Sequence, residues 1–152
     1  MGVSGSGKTT IGRALGRELG WRYLDADDYH PAANVAKMAA GTPLQDGDRW
    51  PWLDQLNSAL RKEKNAVLGC SALKESYRQR LGAGLQDFRI VHLRGSFELL
   101  SKRATERKHR FMPVSLLQSQ FDALEPPQGA IEVDVAQSVA ACVAQIRAQL
   151  GG

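Results

Sequence analysis

Near the start of the chain stands Gly2-Val3-Ser4-Gly5-Ser6-Gly7-Lys8-Thr9. The spacing is G-x-x-x-x-G-K-[ST], and each position has a chemical task. Glycines let the backbone turn so that successive N–H groups converge on phosphate oxygens. Gly2, Ser4, Gly5, Ser6 and Gly7 supply that cradle, with Thr10 just beyond it. Lys8 is placed to reach the β- and γ-phosphates as a point charge. The Thr9 hydroxyl is placed to bind Mg²⁺. Ile11, Ala14, Leu15 and Leu19 form one apolar face, which predicts a helix over 8–19 with Gly20 as its stop. A helix that starts inside the motif turns its positive end toward the anion. These residues predict binding of a nucleoside triphosphate with Mg²⁺ and leave the phosphoryl acceptor open.

An acidic cluster follows: Leu24-Asp25-Ala26-Asp27-Asp28-Tyr29-His30-Pro31. It lies after a run at 21–25 that reads as a strand, so Asp25 and Asp27 fall at the carboxyl edge of a sheet. Ligands bind at that edge in open α/β sheets. A carboxylate there orients an acceptor hydroxyl or holds the metal's water shell. The plainer alternative is that Asp27 and Asp28 only cap a helix.

These groups need a scaffold, and the rest of the chain describes one. Runs at 66–70, 88–93 and 130–135 also read as strands. Helical patterns occupy 52–60, 74–81, 97–107, 114–124 and 139–150. Strands alternating with helices predict an α/β fold: a mostly parallel sheet flanked by helices. At 152 residues the chain has the length of one domain. It is 43% hydrophobic and 24% charged, which excludes disorder as its main state. Twenty basic against sixteen acidic residues give a net charge of +4. The basic residues form no long block and no interleaved aromatic patch, so a small anionic substrate is favoured over nucleic acid. No apolar run is long enough for a membrane span, and the expectation is a cytoplasmic protein. Cys70 and Cys142 sit in apolar surroundings without metal-ligand spacing and are expected to be reduced core thiols.

Further blocks occur in order: Gly41-Thr42-Pro43-Leu44-Gln45-Asp46-Gly47-Asp48-Arg49, Pro51-Trp52-Leu53, Cys70-Ser71-Ala72-Leu73-Lys74 and Leu116-Leu117-Gln118-Ser119-Gln120-Phe121. With the two segments above, they closely resemble the gluconokinases, small-metabolite kinases related to shikimate kinase and adenylate kinase. The resemblance covers essentially the whole chain. It implies a P-loop kinase fold over 1–152, with a helical lid over about 101–122. It also implies ATP-dependent phosphorylation of D-gluconate to 6-phosphogluconate, and the family's members are commonly homodimers.

A sugar acid presents one carboxylate and a row of hydroxyls, and calls for a cationic clamp. His30, Arg49, Lys74 and Arg78 are the candidates, Arg49 being best suited to a bidentate carboxylate contact. Asp27 is the expected acceptor of the 6-hydroxyl proton, and Asp25 the expected support for Mg²⁺. Each has a plainer competitor. Arg78 can be a solvated helix residue, Lys74 a helix opener, Arg49 a partner of Asp46 or Asp48, and His30 a turn residue. Trp50 and Trp52 are more often core than stacking platforms.

In the lid, Arg103 and Arg107 lie one helical turn apart and are expected to close over the phosphates and stabilise transferring charge. Their alternative is to complement the helix dipole. The family usually has Gly-His before a phenylalanine; here His109-Arg110 precedes Phe111, so the glycine's hinge freedom is lost. In the resembled fold the phosphate loop follows a central strand, yet here it begins at Gly2. The expectation is therefore four parallel strands with a central gap, roughly six to ten residues of strand being absent. That raises one alternative, a catalytically impaired or non-catalytic nucleotide-binding relative; a P-loop kinase for another small sugar acid is a second, separate alternative.

Overall fold

The computed structural model describes residues 1–106 and 114–151. Four strands form, β1 (Arg22–Asp25), β2 (Ala66–Gly69), β3 (Val91–Arg94) and β4 (Ile131–Asp134). The helices are α1 (Lys8–Leu19), α2 (Ala32–Ala39), α3 (Asp46–Arg61), α4 (Glu75–Gly82), α5 (Phe97–Glu106), α6 (Val114–Ala123) and α7 (Val139–Gln149). A short 3-10 turn, Ala26–Tyr29, joins β1 to α2.

α1 begins where the motif requires. Gly7 caps it with a left-handed φ of 97°, and Gly20 ends it, its N–H bonding back to Gly16. Ile11, Gly12, Leu15 and Gly16 are its buried face. The missing side chain at Gly12 lets α1 lie on β1, since a Cβ there would stand 2.5 Å from the Tyr23 ring.

Two regions differ from the sequence expectation. α2 carries no regular apolar stripe; only Asn34 of its eight residues is buried, and alanines hold it helical. α3 starts six residues before the expected 52. Its first turn is acidic, and the Asp48 carboxylate accepts the Gln45 N–H at 2.9 Å, an N-terminal cap that extends the helix ahead of its apolar face.

All pairing is parallel, and it falls into two separate pairs. β1 pairs with β2 from Arg22↔Ala66 to Asp25↔Gly69, and β3 with β4 from Val91↔Ile131 to Arg94↔Asp134. Between β2 and β3 lies the expected gap, a cavity of about 750 Å³ lined by Ile11, Leu15, Val67, Cys70, Val91 and Leu93 among others. Met1 and Gly2 reach into its end. The Met1 ammonium donates to Val91 O at 2.6 Å, the Leu93 N–H to Met1 O at 2.9 Å, and the Gly2 N–H to Ser71 O at 3.3 Å. Desolvation, with Lys8 adding to it, pushes the Met1 ammonium down to about 5.

The apolar interior is divided in the same way. One cluster gathers Val3, Ile11, Leu15, Leu93, Leu100, Val133 and Ile146; the other gathers Trp52, Leu53, Leu56, Cys70, Tyr77 and Leu81. Cys70 and Cys142 are both free and buried, as expected. Among the described residues no helix is long and apolar enough to cross a membrane.

Candidate active site

The phosphate loop sits where the two halves meet. Gly2 bonds to Ser71 just past β2, while Met1 bonds to Leu93 in β3. The loop is therefore held at the carboxyl ends of both strands. Gly5 and Gly7 have φ of 82° and 97°, the left-handed geometry that turns amides inward. Lys8 Nζ donates to Gly2 O at 2.9 Å and Val3 O at 3.1 Å, which lays the ammonium across the loop. The Ser6 hydroxyl is fully buried without a protein partner. A buried polar atom inside a ring of amides at a helix N-terminus fits a bound phosphate. The Ser4 N–H bonds to Gln120 Oε1 at 2.7 Å, tying the loop to α6. Thr9 and Thr10 are exposed on the first turn of α1.

A cleft of about 320 Å³ opens beside the loop, lined by Gly5, Gly7, Thr10, Arg103, Val135 and Gln137 among others. Arg103 is anchored there by a bond from Nη2 to Val135 O at 2.6 Å. This unites the loop with the segment that follows β4. Arg107 and the His109-Arg110 departure lie outside the described residues.

The acceptor side is built from β1, α2, α3 and the start of α4. Asp25 ends β1 and its Oδ1 accepts the Asp27 N–H at 3.0 Å, so Asp25 shapes the turn that presents exposed Asp27. Burial pushes the Cys70 thiol up to about 11; Lys8 lowers it and Asp27 raises it. Burial pushes the pKa of His30 down, with Asp27 opposing and Arg49 assisting. His30 stacks on Trp52 at 4.3 Å and 13°, and Trp52 Nε1 bonds to Ala26 O at 2.8 Å.

Arg49 and Lys74 meet over one ring. The Arg49 guanidinium lies 5.4 Å and the Lys74 ammonium 5.6 Å from the Tyr77 centroid. Asp46 Oδ1 accepts the Tyr77 hydroxyl, stands 3.4 Å from Lys74 Nζ, and is 4.0 Å from Arg49 Nη1. The Tyr77 hydrogen bond, with Lys74 and Arg49 behind it, holds the Asp46 carboxyl below the usual range. Arg49 also donates to Leu44 O at 2.9 Å. Its expected pairing with Asp46 and its place beside Lys74 thus coexist.

Arg78 departs from both expectations. It is neither a clamp residue nor a solvated helix residue, because it is 2% exposed and its donors point inward. Nη1 bonds to Ala72 O at 2.8 Å, Nη2 to Glu125 O at 2.7 Å and Nε to Glu75 Oε2 at 3.0 Å. The side chain ties α4 to the segments before and after it. The sequence alone does not reveal this, since an arginine on a polar helix looks solvated unless the carbonyls it will meet are known. Trp52 is core, whereas Trp50 is half-buried edge-on to Tyr77.

Asn34 and Tyr77 were missed. A signal for Asn34 was available: Pro31 suits a helix start, and a polar residue four places after His30 falls on the same face.

Similarity to known proteins now decides the family. A family model described as an AAA domain matches residues 1–127. A probable gluconokinase of Xenopus tropicalis is 45% identical, over 99% of this chain and 90% of that protein. This chain is a member of the gluconokinase family. The thermosensitive gluconokinase of Escherichia coli K12 is 42% identical over 97% of this chain and 83% of its own length. The crystal structure of a gluconokinase from Sinorhizobium meliloti 1021 superposes with a TM-score of 0.90 at 43% identity, covering 99% of this chain and 88% of that one. The gluconokinase family accordingly supplies the P-loop kinase fold, and the parallel pairs flanked by helices are that fold's framework.

Proposed function

We propose that this gluconokinase-family chain transfers the γ-phosphoryl group of ATP to the 6-hydroxyl of D-gluconate, giving ADP and 6-phosphogluconate. One observation carries the reading. Arg49 and Lys74 meet over the Tyr77 ring and both approach Asp46, two cations gathered where one small anion can be held.

Each residue has a role in that reaction. The loop amides and Lys8 hold the phosphates and neutralise charge on the transferring group. Arg49 and Lys74 bind the sugar-acid carboxylate, which fixes the far end of the acceptor. Asp27 holds the 6-hydroxyl and takes its proton as the oxygen–phosphorus bond forms. Thr9, with Asp25 behind it, would hold Mg²⁺, whose oxygen-only ligand preference these groups match. When bound, that ion supplies charge neutralisation at the phosphates. Arg103, with Arg107 from the lid, closes the nucleotide side.

Release of ADP with a panel of sugar acids tests the reading. Turnover is expected with gluconate and lost in Lys8→Ala with the fold intact. Turnover with another sugar acid but not with gluconate would move the substrate assignment. No turnover with any acid by a folded, ATP-binding protein would favour a non-catalytic relative.

A further inference from the structure

We propose that Asn34 is a positioning residue that fixes His30 as its neutral Nε2–H tautomer, making His30 an uncharged hydrogen-bond donor to a gluconate hydroxyl rather than a cation of the clamp. The proposal rests on the gluconate reading for its substrate, but its core is a geometric argument about two side chains.

Asn34 is 3% exposed, and its amide has two neighbours. One is the backbone oxygen of Asp48, 2.9 Å from Asn34 Nδ2. A carbonyl oxygen only accepts, so the amide atom facing it must be the nitrogen. That settles the O/N orientation of the side chain. The same nitrogen is 3.2 Å from His30 Nδ1. An amide nitrogen has hydrogens to give and no lone pair to offer. Nδ1 therefore accepts, and the ring's single proton resides on Nε2. Protonating the ring would set an Nδ1–H against the Asn34 N–H.

Three features hold the arrangement in place. Asn34 follows His30 by four residues across the start of α2, so the helix itself sets their separation. Stacking on Trp52 fixes the plane of the ring, and Trp52 is pinned through Ala26. The Asp48 segment is anchored as well, both carboxylate oxygens lying 2.9 Å from Lys37 Nζ.

The charges facing the ring are Asp27 from the 3-10 turn, which favours protonation, and Arg49 from α3, which opposes it; Asp48 on α3 is already neutralised by Lys37. Burial is the largest influence and lowers the pKa, in agreement with the hydrogen-bond geometry. Nε2–H has no partner among the described residues. The substrate carries one negative charge, which Arg49 and Lys74 already match, so its hydroxyls call for neutral partners.

The test has two independent readouts. Long-range ¹H–¹⁵N correlation spectra of histidine-labelled protein at pH 7.5, assigned with His30→Gln, should show His30 as the Nε2–H tautomer. Asn34→Ala should release it to a mixture of tautomers. A protonated Nδ1 in the unsubstituted protein, or an unchanged tautomer in Asn34→Ala, overturns the proposal whatever the activity. In kinetics, His30→Gln keeps a neutral donor and should hold the KM for gluconate up to about tenfold below that of His30→Lys, with the KM for ATP alike in both. Tenfold is the upper range for one net hydrogen bond. KM for gluconate should be flat above neutrality and rise as pH falls through the lowered pKa of His30. Equal KM values in the two variants, a lower one for His30→Lys, or a KM that rises with pH instead would overturn the neutral-donor role. If the protein turns over a different sugar acid, the gluconate assignment fails while the tautomer spectrum still stands or falls alone.

Discussion

Arg78→Met separates a structural strut from a binding residue, because the two roles predict opposite readouts. Methionine keeps most of the stem volume, so little cavity forms, and the loss is that of the guanidinium. Its removal strands Ala72 O and Glu125 O, bonded at 2.8 and 2.7 Å by a group that is 2% exposed. Each buried acceptor left without a donor costs about 1–3 kcal/mol. The Glu75 contact adds little, since that carboxylate is 53% exposed and stays solvated. Ala72 O bears that cost in full, while Glu125 O belongs to an exposed residue and adds about 1 kcal/mol, so the expected loss is roughly 2–4 kcal/mol, centred on about 3 kcal/mol. For a chain of this size that corresponds to a fall in Tm of roughly 6–12 °C. Urea unfolding followed by tryptophan fluorescence measures the loss. Steady-state kinetics below the new transition should return an unchanged KM for gluconate. Arg78→Lys, whose single ammonium cannot serve both carbonyls, should fall between. An unchanged urea midpoint together with a KM for gluconate raised tenfold would refute the reasoning and return Arg78 to the clamp.

Asp27→Asn should lower kcat by about 10²–10⁴-fold, the usual worth of a positioned proton acceptor, with ATP binding measured by calorimetry unaltered; a larger loss in Asp25→Asn than in Asp27→Asn would reverse their roles. Arg49→Lys keeps the charge but loses the planar contact with Tyr77 and the fork for a carboxylate, so KM for gluconate should rise by an amount equivalent to about 1.5–3 kcal/mol. The Cys70 thiol is raised from 9.0 to about 11 in the folded chain, so native alkylation near pH 8 should run about a hundredfold slower than in urea. The same shift makes the folded form lose stability as pH climbs above 9, where the unfolded thiol ionises first. Equal alkylation rates in the two states would show that Cys70 is not buried as described.

What the sequence revealed depended on how local the cause was. The phosphate loop and α1 were legible because one motif fixes both the turn and the helix start. The strands at Arg22–Asp25 and Ala66–Gly69 were legible from short apolar runs, to within a residue or so at each end. α2 was not, because its alanines favour a helix without marking a buried face. Asp27, Arg49 and Lys74 could be named from their blocks, but the ring that gathers the two cations belongs to Tyr77 on α4, far along the chain from Arg49. Arg78 shows the same limit: its partners, Ala72 O and Glu125 O, are backbone atoms whose position only the fold decides. Asn34 lay between these cases, visible by spacing to His30 but without evident purpose until Asp48 O was found beside it.

The open seam between β2 and β3 has a mechanical consequence. Beyond the contacts of Met1 and Gly2, no backbone ladder crosses it among the described residues. Apart from the hydrogen bonds that Glu125 makes with Leu73, Glu75 and Arg78, the half holding Asp27, Arg49 and Lys74 and the half holding Arg103 are joined largely through α1, which packs on β1, β2 and α7. Such a joint transmits force through side-chain packing, which yields more readily than a row of hydrogen bonds. The two strand pairs should therefore open as separate units, and amide exchange should sort their protected protons into two populations with different opening free energies. α1 would act as the axle between them, and the Lys8 end of that axle is where phosphate and acceptor have to be brought together.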